Sequence, residues 1–257
     1  MPEITLPTEK VGPVSLSPRT LIIFSKPKVG KSSLAAGLDS CLLIDLEDGA
    51  GFLEALKISA GSVDELKKVG EAIKAAGNPY KYIALDTMSA LEKICIPYAE
   101  TLYARSIMGK HWFRKEGDKL HPESGKAKYG NILNMPDGAG YKWHREAVTK
   151  VIDFVKTLAP RIILLGHIKE ILLQKGGSEF NTFDLDLTGK LKSIITSQVD
   201  AIGYLYRKGN QNVLSFKTND EVTCGARPEH LKNKEIVVSE AGEDGKLTTF
   251  WERIYID

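Results

Sequence analysis

Apolar residues gather in short dense runs along this chain, and longer polar stretches lie between them. Leu21-Ile22-Ile23-Phe24, Cys41-Leu42-Leu43-Ile44 and Ile162-Ile163-Leu164-Leu165 lack any alternation of apolar and polar positions. Unbroken runs of that length suit strands buried on both faces. Together with Tyr82-Ile83-Ala84-Leu85 they predict strands near 21–24, 41–46, 81–86 and 161–166. Helices are predicted over 63–76 and 146–158. Strand and helix in turn predict an α/β fold with a mostly parallel central sheet and helices on both faces. Residues 201–207, 212–218, 235–239 and 249–256 alternate with period two, which predicts a C-terminal antiparallel extension. Over 175–186, Gly176-Gly177 sits between two apolar pieces and reads as a hairpin or flexible loop.

The stretch 105–140 breaks this rhythm. It sets Arg105, Lys110, Arg114, Lys115, Lys119, Lys126 and Lys128 against Glu116, Asp118 and Glu123, and a long insertion of this kind is usually functional or mobile. The first twenty residues form a Pro-bearing arm without an apolar core, so neither a signal peptide nor a transmembrane helix is expected there. The expected organisation is an arm over 1–20 and a single domain over 20–257 carrying the insertion.

Composition narrows the picture only slightly. With 257 residues, 42% hydrophobic and 26% charged, the chain can hold one substantial core. A formal net charge of +2 gives no global signal for nucleic acid, so any such contact must come from local clustering. Cys41, Cys95 and Cys224 are odd in number and widely spaced, which argues against a disulfide framework or a zinc site and for reduced thiols in a cytoplasm.

The strongest chemical signal is Ser25-Lys26-Pro27-Lys28-Val29-Gly30-Lys31-Ser32-Ser33, placed between an apolar strand and the apolar start of a helix. That order is the one a phosphate-binding P-loop needs. Backbone N–H groups at Ser25, Lys28, Val29, Gly30, Lys31, Ser32 and Ser33 are expected at the polyphosphate oxygens, with Lys31 reaching the outer phosphates and the Ser32 hydroxyl on Mg²⁺. ATP and Mg²⁺ are the implied ligands. The loop departs from the usual pattern at its first position, where Ser25 replaces glycine. Lys26 and Lys28 add positive charge beside the phosphates or are solvated loop lysines.

A nucleotide hydrolase also needs a carboxylate for the metal, a base and a sensor of the outer phosphate. Asp86 closes an apolar strand and suits the metal shell, its alternative being an N-cap for a helix from Met88. Thr87 follows it, so the Asp-Glu pair of many P-loop ATPases is missing and the base must come from elsewhere. Glu47, at the end of the preceding strand, is the candidate, with Asp45 and Asp48 as rivals. His167 ends the next strand and is the candidate sensor.

As a set, the P-loop, the Ile44-Asp45-Leu46-Glu47 strand end, Asp86-Thr87-Met88-Ser89-Ala90-Leu91 and the strand ending at His167 resemble the RecA recombinase core. More closely, residues 20–230 resemble the short phage-encoded RecA-like ATPases, AAA-type nucleotide-binding proteins that include Sak-type annealing or recombination factors. The resemblance implies a RecA-like P-loop NTPase fold, Lys31 and Ser32 at phosphate and Mg²⁺, Asp86 at the metal, Glu47 as catalytic carboxylate and His167 as sensor. It further implies a DNA-contacting loop over 168–190, assembly into a ring or filament, and a single-strand-binding or annealing protein as partner in the host cytoplasm, with no membrane. In replicative hexameric helicases, which residues 197–207 also resemble, a basic finger from the adjacent subunit completes the site. Arg227 and Lys217 are the candidates here, although the paired Lys-x-Arg spacing is absent.

Within the insertion, His111, Trp112, Phe113 and Tyr129 interleave with cations, a mixture suited to stacking and backbone attraction on single-stranded DNA. The expected function is therefore DNA-dependent ATP hydrolysis in recombination, annealing or repair. A helicase or loader motor, a nucleotide-dependent switch with little turnover, and a small-molecule kinase are the alternatives.

Overall fold

The structure, a computed structural model, describes residues 6, 8–109, 112, 129–175, 178–218 and 222–257. Its strands are β1 (Thr20–Ser25), β2 (Cys41–Asp45), β3 (Lys57–Ser59), β4 (Tyr82–Asp86), β5 (Arg161–Lys175), β6 (Ser178–Leu185), β7 (Ala201–Lys208), β8 (Gln211–Ser215), β9 (Gly225–Ala226), β10 (Glu235–Ala241) and β11 (Leu247–Thr249). They join in the order β11-β10-β8-β7-β1-β5-β4-β2-β3, with β6 on β5 and β9 on β7. From β7 to β3 the neighbours run parallel, and β8, β10 and β11 extend the sheet antiparallel.

Alternate residues of the central strands point to opposite faces, so one dense apolar run feeds two cores. Ile22, Phe24, Ile44, Ile83, Leu85, Ile162 and Leu164 pack on one side. That side is covered by α2 (Val63–Ala75), α3 (Met88–Ile94), α4 (Ile96–Ala104), α5 (Ala139–Val155) and α6 (Leu191–Gln198). Leu21, Ile23, Leu43, Ala84, Ile163 and Leu165 pack on the other, against Leu34 and Ala35 of α1 (Lys31–Ala36) and against Trp251, Ile254 and Tyr255 near the end of the chain. The helices form where local signals agree. In α2, Ser62 caps the Glu65 N–H at 3.2 Å while the Glu65 carboxylate accepts from Gly61 N–H at 2.7 Å, and Val63, Leu66, Val69, Gly70 and Ile73 make the buried stripe.

Several boundaries differ from those the sequence suggests. The strand near 161–166 continues to Lys175, and among the described residues the piece beyond His167 pairs with β6, so 168–185 is a hairpin; residues 176–177 lie outside the described residues. β7 is antiparallel to β8 but parallel to β1, so it belongs to the central sheet and not to the antiparallel extension. Residues 249–256 are not one strand: β11 ends at Thr249 and a 3₁₀ turn, Trp251–Arg253, follows. The buried positions there, Trp251, Ile254 and Tyr255, are spaced by three and four, a turn's period. Helix α5 starts at Ala139. Of that insertion, 110–111 and 113–128 lie outside the described residues. Trp112 is buried, with its ring edge-on to Tyr103 at 5.4 Å, and Tyr129 packs on the core. Trp112 is therefore not free to stack on a base, a correction to its place in the expected interface, while Tyr129 is half-buried.

Candidate nucleotide site

The order β1-β5-β4-β2 sets four strand ends side by side. Ser25 lies opposite His167, Leu165 opposite Asp86, and Asp86 opposite Asp45. Ligands of α/β sheets bind at this carboxyl-terminal edge. Beyond β1 the chain turns through Lys28 at φ 63° and Gly30 at φ 114° before α1 begins at Lys31. The backbone at Gly30 favours glycine, and no side chain caps the helix it starts. The resulting cavity of about 290 Å³ is lined by Lys28, Gly30, Lys31, Ser32, Ser33, Asp45, Glu47, Gly49, Phe52, Leu53, Asp86, Thr87 and His167.

Of the P-loop residues named from the sequence, Lys28, Gly30, Lys31, Ser32 and Ser33 reach this cavity, whereas Val29 packs toward the core. Ser25 is fully buried and acts through a neighbour: its hydroxyl accepts from Lys31 Nζ at 3.0 Å and donates to the Lys26 carbonyl at 2.7 Å. The serine that breaks the motif is thus a resting place for the motif's lysine. Lys31 is 5% exposed, and burial pushes its pKa below the usual lysine value, partly offset by Asp86 and Glu47.

Asp86 is also buried, and its pKa is raised, by burial first; the hydrogen bond from Ser32 and the charge of Lys31 work the other way. The Ser32 hydroxyl donates directly to Asp86. Thr87, not Asp86, caps α3, which leaves the Asp86 carboxylate for the cavity. Ser32 and Asp86 offer hard oxygen donors on adjacent elements, the chemistry that suits Mg²⁺, a cation that takes few protein ligands beside phosphate.

Glu47 is exposed and held from across the sheet by Thr87, whose hydroxyl donates to Oε1 at 2.8 Å. Asp45 has a different job. Its two oxygens accept from Glu47 N–H at 3.0 Å and Ala50 N–H at 2.7 Å, tying down the turn that carries Glu47. Asp48 is exposed in that turn at φ 56° and is absent from the lining. Lys57 closes the far end of the turn, donating to the carbonyls of Ala50, Gly51 and Leu53 at 2.7, 3.1 and 2.8 Å. A rigid platform results, and on it Phe52 stands fully exposed at the cavity rim.

His167 lines the cavity where β5 leaves the sheet. Its Nδ1 is buried without a partner, and burial, then the nearby Lys31 charge, holds its pKa below 6.5. Lys26 does not line the cavity; it faces Glu170 instead. Arg227 and Lys217 lie elsewhere. Arg227 sits by the start of β1 and β7, pairing with Asp200 at 3.4 Å and donating to the Ser197 carbonyl at 2.8 Å. Lys217 pairs with Glu235 at 3.2 Å.

Sequence reasoning missed Thr87, Phe52 and Lys57. Thr87 was legible only as the residue that spoils an Asp-Glu pair. The exposed Phe52 in a polar turn carried a faint signal, since an aromatic side chain there has no core to enter.

The family model described as an AAA domain matches residues 17–227. None of the curated proteins compared with the chain matches it. The matched span contains β1 through β9 and every residue lining the cavity. An AAA domain indicates nucleotide binding and ATP hydrolysis in general. No helix among the described residues is long and apolar enough to cross a membrane.

Proposed function

The chain belongs to the AAA domain family, and from that premise we propose that it couples Mg²⁺-dependent ATP hydrolysis to single-stranded DNA, in phage-type recombination, annealing or repair. One observation carries the catalytic part: Lys31, Ser32, Glu47, Asp86, Thr87 and His167 surround one cavity at the carboxyl edge of the sheet.

Polyphosphate enters along the P-loop, and Lys31 leaves the Ser25 hydroxyl to meet the outer phosphates. Ser32 and Asp86 would hold Mg²⁺, which when bound would neutralise phosphate charge. Glu47 orients a water and takes its proton as the new P–O bond forms and the bond to the bridging oxygen breaks. Thr87 keeps Glu47 aimed. Phe52 offers a ring face to the base. His167, neutral near pH 7 because its pKa is lowered, meets the outer phosphate through a ring nitrogen.

Among the described residues no arginine lines the cavity. That supports a basic residue supplied by a neighbour in a ring or filament, with Arg227 and Lys217 as the candidates. The DNA-facing element in this reading is the 168–185 hairpin, which continues the strand bearing His167.

The test is ATP turnover with and without single-stranded DNA, with Lys31→Ala alongside. The expected result is Mg²⁺-dependent turnover that rises with DNA and vanishes in the variant. Undiminished turnover by Lys31→Ala sinks the site; turnover indifferent to DNA sinks the DNA assignment and leaves the ATPase.

A further inference from the structure

One cation of the P-loop is spent away from the phosphate cavity. Lys26 Nζ stands 2.9 Å from Glu170 Oε1 and 5.1 Å from the centre of the Phe183 ring. Glu170 and Phe183 face each other directly across the hairpin, one on β5 and one on β6. A single ammonium therefore grips both strands at the hairpin's root.

Beyond His167 the extended part of β5 pairs with β6 and no longer with β1. On the β6 side, Asp184 pairs with Lys192 of α6 and Leu185 packs against Gly166. Phe183 also stacks on Tyr204 at 6.0 Å, which holds its ring where Lys26 meets it. Lys26 is joined to the loop by more than the chain, because its carbonyl accepts the Ser25 hydroxyl that also receives Lys31. When Lys31 leaves Ser25 for a phosphate, that hydroxyl loses its donor, and the loop beside Lys26 gains a polyanion that competes with Glu170.

We propose that the Lys26 contact with Glu170 and Phe183 is a latch through which nucleotide occupancy controls the hairpin: closed when the cavity is empty, released when polyphosphate fills it. The proposal rests on the reading of the cavity as an ATP site. It makes the hairpin's freedom, and so its availability to a ligand, a function of nucleotide state, by a route separate from the His167 side chain.

Hydrogen exchange of the 168–172 and 180–185 amides tests it, measured on the full chain with and without a non-hydrolysable ATP analogue and Mg²⁺, with analogue binding followed in parallel. The wild type should exchange about two- to fivefold faster at the root when nucleotide binds, the scale an exposed ion pair allows. Lys26→Ala and Glu170→Gln should exchange at the faster rate with or without nucleotide while still binding the analogue. Lys26→Glu combined with Glu170→Lys should restore slow exchange in the nucleotide-free protein. Binding by the wild type with no change at the root, or the same change in Lys26→Ala, overturns the latch and leaves the ATP site standing. No binding by the wild type overturns both.

Discussion

Asp86 is a carboxylate held out of water beside a single hydroxyl donor, and burial raises its pKa. A carboxyl group whose pKa is higher folded than unfolded weakens the fold as pH rises through that window and it ionises. Asp86→Asn removes that cost while Glu47 still offsets Lys31. The nucleotide-free variant should melt about 2–4 °C higher, for a gain on the order of 1 kcal/mol, and lose Mg²⁺-dependent turnover. A lower melting temperature would mean that the charge of Asp86 is needed to hold Lys31. His167 has the opposite sign. Its pKa is lower folded than unfolded, so the unfolded chain takes up the proton first as pH falls below 6.5, and stability declines there. His167→Gln should flatten that part of the melting profile; an unchanged slope would exclude this imidazole as its source. Thr87→Val deletes the hydroxyl aimed at Glu47 and should lower kcat about tenfold, for roughly 1.4 kcal/mol, with KM nearly unchanged. Thr87 also caps α3, so Thr87→Ser, which keeps the hydroxyl, should retain most of the rate. Equal losses in the two variants would trace the effect to the fit of the Thr87 side chain and not to the hydroxyl that holds Glu47 and caps α3.

At the level of elements, the root of the hairpin depends on one missing side chain. A Cβ at Gly166 would stand 2.5 Å from Leu185 Cδ1. Gly166→Ala should cost about 1–3 kcal/mol by overpacking, and adding Leu185→Ala should return part of it. Calorimetry of both variants checks this, and a full-cost double mutant would place the strain elsewhere. The central strands were legible because burial on both faces leaves unbroken apolar runs. β3 was not: Lys57, Ile58 and Ser59 are all exposed, and a three-residue edge strand has no pattern to read. Residues 249–256 imitated a strand because Phe250, Trp251, Ile254, Tyr255 and Ile256 are strand formers, but the buried Trp251, Ile254 and Tyr255 follow a turn's spacing. The P-loop, Asp86, Glu47 and His167 were legible because each closes or follows a strand. The bond from Thr87 to Glu47 spans forty residues, and only the pairing of β2 with β4 brings the two together. Trp112 misled for a related reason: cations lie near it in the sequence, but its neighbours in space are core residues.

Across the whole molecule, the end of the chain supports its beginning. Trp251 Nε1 donates to the Leu34 carbonyl at 2.9 Å in the interior, and Thr249 Oγ1 donates to the Gly37 carbonyl at 2.9 Å. These two bonds satisfy the open end of α1, the six-residue helix that carries Lys31 and Ser32. The supporting strands β10 and β11 lie beyond residue 227, where the family match stops. Trp251→Phe keeps the ring and loses the donor. It should cost about 1–3 kcal/mol and weaken ATP binding severalfold. A lower melting temperature with unchanged affinity would show that the helix end does not reach the phosphates.

The three cysteines lie apart in this framework, all buried, with the thiols of Cys41 and Cys95 pushed up to about 12 and that of Cys224 to about 11. Thiols so rarely ionised and so poorly reached react slowly with alkylating reagents. One engineered surface cysteine can therefore be labelled in the native protein without removing any of the three. The natural thiols then serve as a clock: Cys224 beside the antiparallel strands and Cys41 and Cys95 in the parallel half become alkylated only as their own surroundings open, and the order of their modification gives the order in which the two halves come apart.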